Sequence, residues 1–316
     1  MRRDRFKSYK LTENEQGKRV DNIVKSLLPQ LKKGDIYKGI RKKDILINGR
    51  KTEANYNVMT GDSLDIYQGY IKNLDEISQE ENHLTFHLPP IVYESEDIVV
   101  YNKMDNLITQ GPASLESEHY QYFISKKIDR VSFRPGPLHR LDKNTSGLVS
   151  YSLSLKGARS FTEAIQEGRI KKLYLAVLEG HVENKIHCQA PLIPNSMKTL
   201  VFEQANDKTV EAETIYHPLE YRDGKTTVII ELLTGRTHQI RAHAQYIGYP
   251  VVGDYKYGTK DEHMYLHSAA LYLPTPITEE GQWIWGQPPK YYNKYISLEN
   301  IENLILNFIK KNYITH

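Results

Sequence analysis

The charges of this 316-residue chain are divided unevenly along its length. Residues 1–51 hold 16 Lys and Arg against 6 Asp and Glu, whereas the remaining residues hold 26 basic and 33 acidic side chains. This division predicts a basic part that binds a polyanion, joined to a part with a different task. A charge run alone fits a solvated basic face equally well. The residue patterns within the segment therefore have to distinguish a polyanion-binding part from a solvated basic face.

The amino-terminal segment has the pattern of a small folded unit. Val20, Ile23, Val24, Leu27 and Leu28 follow the spacing of an amphipathic helix. The stretch KKGDIYKGIRKK predicts a second, short and very basic helix. DILINGRKT then contains an Asn-Gly pair, which is typical of a tight hairpin, and MTGDSLDIY supplies a returning strand.

Two basic helices beside a small hairpin sheet make a compact unit. From about Lys18 to Tyr67 the segment resembles the small RNA-binding module shared by a ribosomal small-subunit protein, tyrosyl-tRNA synthetases and several RNA-modifying enzymes. The resemblance implies a docking role without chemistry of its own. The side chains expected to contact RNA are Lys32, Lys33, Lys38, Arg41, Lys42 and Lys43.

Composition changes mark the predicted domain boundaries. We expect the module over residues 1–68, an acidic and polar linker over 69–88, and a larger domain over 89–316. The larger part mixes helical and strand patterns without an internal repeat. It therefore predicts an α+β domain around a mixed, largely antiparallel sheet.

Several classes of function lack their usual signals. No run of about 18 apolar residues predicts a membrane span, and no phosphate-cradling glycine pattern predicts a nucleotide cofactor. His238 and His243 are five residues apart, which is unsuitable for a shared metal on a helix. The single cysteine, Cys188, rules out an internal disulfide and favours a reducing cytoplasm. We expect a monomer without metal or cofactor.

The stretch GPLHRLDKNTSGL places one carboxylate, Asp142, between Arg140 and Lys143. Nearby positive charge favours the ionised form of a carboxylate, which suits a nucleophile better than a general acid. A structural ion pair explains the same residues, and both interpretations stay open on the local sequence. The next positions are expected to shape the loop, with Thr145 and Ser146 forming local hydrogen bonds and Gly147 relieving a backbone constraint.

A second dense stretch, TGRTHQIRAHAQYIGYPVVGD, predicts a helix from an N-cap at Thr237 to about Gly248. Its helical spacing separates a polar face that presents Arg241 from an apolar face that packs. The predicted polar face consists of His238, Arg241 and Gln245, and the apolar face of Ile240, Ala244 and Ile247.

Between these stretches lies KKLYLAVLEG, a predicted strand that carries Tyr174. A tyrosine in a strand is usually part of the core. The three segments HRLDKNTSGL, KKLYLAVLEG and TGRTHQIRAHAQYIGYPVVGD, in this order, resemble the RluA group of pseudouridine synthases. The form that carries an amino-terminal RNA-binding module is the most similar. NKMDNLITQGP departs from the usual NKPxGLxxHP-like run, with Met104 in place of a proline and Gln110 in place of a histidine.

The resemblance implies isomerisation of uridine to pseudouridine in RNA, with large-subunit ribosomal RNA as the expected partner. It makes Asp142 the essential acid, Tyr174 the residue that stacks on the base and assists proton removal, and Arg241 the motif arginine that holds Asp142 bidentately. Arg140 is expected to fill the space that the flipped uridine leaves. The sequence does not choose between covalent attack by Asp142 and removal of a ribose proton.

Two other classes of protein remain as alternatives. An RNA-binding or assembly factor could keep the fold without catalysis, although the motif residues are intact. A glycosidase also works at a glycosidic bond, but it usually needs two cooperating carboxylates. A pseudouridine assay and a test for released base separate these alternatives from a synthase.

Overall fold

The computed structural model describes residues 5–28, 30–71, 87–125, 133–195 and 197–314. Most of the predicted linker over 69–88 lies outside these ranges, so its structure stays a prediction. Within the described ranges, none of the helices has the length and apolar character needed to cross a membrane.

The helices are α1 (Val20–Leu27), α2 (Lys33–Lys42), α3 (Leu115–Ser125), α4 (Leu155–Gln166), α5 (Gln239–Tyr246) and α6 (Leu298–Tyr313). The strands are β1 (Phe6–Lys10), β2 (Ile45–Ile47), β3 (Arg50–Lys51), β4 (Ser63–Tyr67), β5 (Ile91–Glu94), β6 (Ile98–Lys103), β7 (Ser146–Ser152), β8 (Lys171–Glu179), β9 (Ile186–Cys188), β10 (Leu192–Ile193), β11 (Leu200–Val201), β12 (Thr214–Arg222), β13 (Lys225–Leu232), β14 (Leu266–Leu273) and β15 (Gln282–Trp285).

The chain forms two compact units. One comprises residues 1–87, 118–136 and 153–156, and the other comprises 88–117, 137–152 and 157–316. The domain boundaries expected from the sequence stay a prediction.

In the first unit, α1 and α2 contribute to a core with a four-stranded antiparallel sheet in the order β1-β4-β2-β3. The apolar side of α1 is buried at Val20, Ile23 and Val24, as the helical spacing predicts. Asn48 and Gly49 join β2 to β3 with φ of 51° and 71°, the left-handed pair that a type I′ turn requires. Both predicted helices, the hairpin and the returning strand are confirmed.

The second unit is built around a nine-stranded sheet in the order β5-β6-β7-β14-β8-β13-β12-β9, with β15 paired to β14. The strands β7 and β14 are parallel, and the other neighbouring pairs are antiparallel. The predicted α+β class with a mixed, largely antiparallel sheet is confirmed. Buried isoleucines of α6, at 301, 305 and 309, share a core cluster with residues of β8.

Gly147 allows β7 to approach β14 closely. Its φ is 107°, and a Cβ at this position would lie 2.3 Å from the carbonyl oxygen of Ser268. The predicted backbone constraint is confirmed. The Ser146 hydroxyl lies 2.9 Å from Nδ1 of His267 on β14, so the predicted local hydrogen bond of Ser146 is wrong. The sheet, rather than the loop, fixes this side chain.

The helix α5 differs from its prediction at the start and in its burial. It begins at Gln239, because His238 has a left-handed φ of 54° that a right-handed helix cannot include. The positions from Gln239 to Ala244 are all buried, so Arg241, on the predicted polar face, lies in the interior and contacts Asp142, while Ile240 and Ala244 pack as predicted. Polar side chains are satisfied inside: Gln239 donates to the Glu213 carbonyl at 3.0 Å, and His243 lies 2.8 Å from the Ala190 carbonyl.

Candidate active site

Asp142 lies in the loop before β7, and this loop is fixed through its backbone. The Thr109 hydroxyl donates to the Leu141 carbonyl at 2.9 Å and accepts from the Leu141 amide at 3.2 Å. The Thr145 amide donates to the Asp142 carbonyl at 3.1 Å, which closes a turn. The Asp142 side chain is 28% exposed. The Asp142 carboxylate is therefore carried by a fixed backbone, and its partial exposure leaves it accessible to a ligand.

The cation that contacts Asp142 comes from α5. Arg241 donates from Nη1 to Asp142 Oδ2 at 2.7 Å. Its Nε and Nη2 donate to the two carboxylate oxygens of Asp254 at 2.6 and 2.7 Å. The predicted bidentate hold on Asp142 is therefore wrong: Asp254 occupies the two-nitrogen edge of the guanidinium, which leaves one nitrogen for Asp142.

The charged neighbours in sequence do not provide the ion pair. Arg140 and Lys143 are exposed, and within the described ranges neither pairs with Asp142. Their adjacency along the chain suggested a local positive field, but the contact is made across 99 residues. Asp142 is held by tertiary structure.

Asp254 makes Arg241 a fixed cation. Asp254 is fully buried and also accepts from the amides of Lys256 and Tyr257, at 3.0 and 3.3 Å. Burial lowers the pKa of Arg241, but the carboxylates of Asp254 and Asp142 outweigh it and raise the pKa above the ordinary value. Because the buried charges of Arg241 and Asp254 are paired with each other, neither carries the large free-energy cost of an unpaired buried ion.

His238 and Tyr257 complete the surroundings of Arg241, and the sequence assigned no role to either. Nε2 of His238 lies 3.8 Å from Asp142 Oδ2, and Nδ1 lies 3.1 Å from the Tyr257 hydroxyl. Burial lowers the pKa of His238, which favours the neutral imidazole. The Arg241 guanidinium lies over the Tyr257 ring at 5.1 Å from its centre. This cation–π contact fixes the plane of Arg241.

Tyr174 is on β8 and is almost fully buried. Burial raises the pKa of Tyr174, although a hydrogen bond to Ser268 lowers it, and the charge of Asp142 raises it further. The hydroxyl is therefore protonated at neutral pH. The ring of Tyr174 lines the cavity that contains Asp142, and both its stacking role and its part in proton removal stay predictions.

Lys103 is a fully buried cation that ties two loops together. Its ammonium donates to the carbonyls of Met104 and Leu107, both at 2.9 Å, and to the carbonyl of Lys143 at 3.3 Å. Burial lowers the pKa of Lys103 to about 8, and the nearby carboxylates only partly oppose this shift. Lys103 thus anchors the backbone immediately after Asp142.

The lowered pKa of Lys103 predicts a pH-dependent stability. Because the folded state binds this proton less tightly than the unfolded state, the free energy of unfolding should increase as pH rises from 8 towards 10.5. Between pH 7.5 and 9.5 we expect an increase of about 2 kcal/mol from this group. Urea unfolding of wild type and Lys103→Met across this range measures it. Equal pH slopes in the two proteins would contradict the assignment.

Asp142, Tyr174 and Arg241 all line one cavity of about 850 Å³. This volume lies within the range of roughly 300–1,000 Å³ that small-molecule sites occupy. The wall is rich in cations, which suits a polyanionic ligand. These cations are Arg140, Lys171, Lys172, Arg236 and Arg241.

The other predicted RNA-binding side chains belong to the first unit. Lys32, Lys33, Lys38, Arg41, Lys42 and Lys43 are all exposed on or beside α2. They form a basic surface on that unit. Their contact with RNA stays a prediction.

The described residues contain no group of three or more His, Cys, Asp or Glu side chains that could hold a metal ion. The two histidines considered from the sequence have other contacts. His243 lies 2.9 Å from the Thr214 hydroxyl through Nδ1 and 2.8 Å from the Ala190 carbonyl through Nε2. His243 is therefore part of a buried hydrogen-bond network.

Asp254 and Lys103 are the functional candidates that sequence reasoning missed. Asp254 is the last residue of the stretch TGRTHQIRAHAQYIGYPVVGD, which contains Arg241. An acidic residue shortly after the predicted helix could therefore have indicated a partner for this arginine. Lys103 precedes Met104 in the atypical NKMDNLITQGP stretch, but a lone lysine at a strand end gives no sign of burial.

Known proteins are similar to this chain in sequence and in fold. Residues 97–246 match the family model described as RNA pseudouridylate synthase. The chain is 28% identical to the ribosomal large subunit pseudouridine synthase C of Escherichia coli (strain K12), over 85% of this chain and 89% of that protein. The protein of the same name from Rickettsia bellii (strain RML369-C) is 28% identical, over 87% of this chain and 96% of that protein.

A solved structure shares the fold. The human RNA pseudouridylate synthase domain containing 1 aligns with a TM-score of 0.57 and 26% sequence identity. The alignment covers 70% of this chain and 95% of the human chain.

Proposed function

Because this chain is an RNA pseudouridine synthase of the RluA group, we propose that it isomerises selected uridines of large-subunit ribosomal RNA. The curated relatives are named for that RNA. The observation that carries the proposal is an accessible carboxylate, Asp142, held by the buried Arg241 in a cation-lined cavity beside Tyr174.

The reaction breaks the bond from ribose carbon 1′ to uracil nitrogen 1 and joins carbon 1′ to ring carbon 5. The proton on carbon 5 is lost and nitrogen 1 gains one, so the product is an isomer. This net change needs no redox partner, which supports the expectation of a protein that works without cofactor or metal.

We assign the chemical step to Asp142. Arg241 engages Oδ2, and no part of the chain that the structure describes forms a hydrogen bond to Oδ1. Oδ1 is thus the oxygen available to attack the base or sugar, or to remove a ribose proton. Arg241 places a positive charge beside the carboxylate and fixes its orientation, as both routes require.

We assign the detached uracil to the ring of Tyr174. Stacking a base on an aromatic ring contributes about 1–3 kcal/mol and does not depend on the identity of the base. A freed uracil has to rotate without leaving, and a flat, protonated tyrosine ring at the cavity wall meets this need. We also assign to Arg140, which is exposed and lines the cavity, the filling of the space that the uridine leaves in the RNA.

We further propose the division of labour expected from the sequence, with a docking module over 1–68, a linker over 69–88 and a catalytic domain over 89–316. The exposed cations of α2 support the docking role. The single cysteine, which is buried, supports a reducing cytoplasmic setting. We also propose a monomer.

The docking role predicts a change in salt dependence. Replacing Lys38, Arg41 and Lys42 with glutamine should lower the slope of log affinity against log salt by about 2, because fewer counterions are released from RNA. Anisotropy titrations with ribosomal RNA between about 50 and 200 mM salt measure the slope. The matched control is Lys310→Gln with Lys311→Gln on α6, which should leave it unchanged. An unchanged slope in the α2 variant would remove the docking role.

Mapping pseudouridines tests the proposed function itself. Purified protein is incubated with unmodified large-subunit ribosomal RNA, and modified positions are read by a pseudouridine-specific chemical method. We expect modification at a small number of uridines. RNA binding without modification would indicate an inactive assembly factor, and release of free uracil would indicate a glycosidase.

A further inference from the structure

A second cavity of about 330 Å³ adjoins the first. The two cavities share Asp142 and Arg241, so both border this ion pair. The shared wall also contains Arg140 and His238. None of the functions assigned above uses the second cavity.

The remaining wall of the second cavity combines one exposed aromatic ring with cations and an amide. Tyr255 is 56% exposed. Lys143 and Lys256 supply positive charge beside it, and Gln110 supplies a group that can both donate and accept hydrogen bonds. A flat ring for a base and ammonium groups for a phosphate are the features of a single-stranded nucleic acid site.

The turn that carries Tyr255 is rigid, although the side chain is exposed. Asp254 accepts from the amides of Lys256 and Tyr257, and the Gly258 amide donates to the Asp254 carbonyl at 2.7 Å. The same Asp254 carboxylate binds Arg241 at two positions. The position of Tyr255 is therefore linked through one buried ion pair to the position of Asp142.

We propose that the second cavity binds a nucleotide adjoining the target uridine, with its base stacked on Tyr255 and its phosphate near Lys143 and Lys256. This inference rests on the proposed function. A uridine in the first cavity stays covalently joined to its neighbours, so a nucleotide next to it lies within one backbone step of the cavity. The second cavity adjoins the first and has the matching chemistry.

The test combines enzyme variants with modified RNA. The RNA is a short transcript around a uridine that the wild-type protein is found to modify, made intact or with the base removed at the 5′ or the 3′ neighbour. Single-turnover rates are measured for wild type, Tyr255→Ala and Tyr255→Phe. Tyr221→Ala, which removes an exposed tyrosine outside both cavities, is the control.

On intact RNA, Tyr255→Ala should lower the second-order rate constant by about 5- to 150-fold, the range expected for one base stack. Tyr255→Phe keeps the ring and should stay near wild type, as should Tyr221→Ala. On the RNA that lacks the base bound at Tyr255, wild type should lose activity to a similar degree, and Tyr255→Ala should cause little further loss.

A Tyr255→Ala protein that matches wild type would overturn the inference. It would also be overturned if Tyr255→Ala lowered the rate on each of the two base-free RNAs by the same factor as on intact RNA. In either case wild type still forms pseudouridine, so the proposed function survives. A wild-type protein that modifies no ribosomal RNA fails at an earlier step and overturns the proposed function together with this inference.

Discussion

Replacing Asp142 with asparagine is expected to abolish pseudouridine formation while the protein keeps its fold. Asparagine has the same size and can still accept a hydrogen bond from Arg241 Nη1, which lies 2.7 Å from Oδ2 in the wild type. It lacks the negative charge that attack or proton removal requires. Turnover should fall by about 10²- to 10⁴-fold for loss of a base and by about 10⁶-fold for loss of a nucleophile.

Stability separates this catalytic role from a structural one. Asp142 is partly exposed, and Arg241 keeps its bidentate partner Asp254 in the variant. The free energy of unfolding should therefore change by only about 1 kcal/mol. Urea unfolding, RNA affinity and single-turnover rates are compared with Asp261→Asn, which alters an exposed acid outside both cavities. A folded Asp142→Asn protein with appreciable activity would refute the assignment, and so would a protein that lost stability but kept its activity.

Local patterns predicted the first unit well because its elements are determined by neighbours along the chain. The spacing of Val20, Ile23 and Val24 defines one buried stripe of α1. Asn48 and Gly49 favour the left-handed backbone of their turn without help from distant residues. Such features depend on intrinsic conformational preferences, so a single sequence is sufficient to predict them.

The partners of Asp142 could not be predicted in the same way. Positive neighbours in sequence suggested Arg140 and Lys143, but the contact comes from Arg241 on another element. The long-range pairing of β7 with β14 and the anchoring of the loop by Lys103 determine where the carboxylate lies. Periodicity describes one element at a time and cannot report how two elements meet.

The helix α5 shows a second limit. Polar and apolar positions that recur at helical spacing usually indicate one face that packs and one polar face that is exposed to solvent. Here Gln239 and His243 are both buried. The side chain of Gln239 donates to the backbone carbonyl of Glu213, and Nε2 of His243 lies within hydrogen-bond distance of the backbone carbonyl of Ala190. A polar residue is compatible with burial once it has a partner, and the sequence does not reveal the partner.

Removing the charge of Arg241 is expected to have the largest effect on stability. In Arg241→Met the carboxylate of Asp254 stays fully buried without its cation. Breaking a buried pair from one side typically costs about 3–5 kcal/mol. Asp142 also loses its contact, so pseudouridine formation should be lost as well. Arg241→Lys keeps the positive charge but lacks the planar guanidinium that donates to both carboxylates. Compared with Arg241→Met, it should therefore regain more of the free energy of unfolding than of the activity.

A double variant distinguishes an uncompensated charge from a loss of packing. Asp254→Asn keeps an oxygen for the amides of Lys256 and Tyr257 but removes the buried charge. Combined with Arg241→Met, it should restore a measurable part of the lost free energy of unfolding, because no unpaired ion remains. Activity should stay absent, since Asp142 is still not held. If the double variant were as unstable as the sum of both single variants, the ion pair would not be the cause.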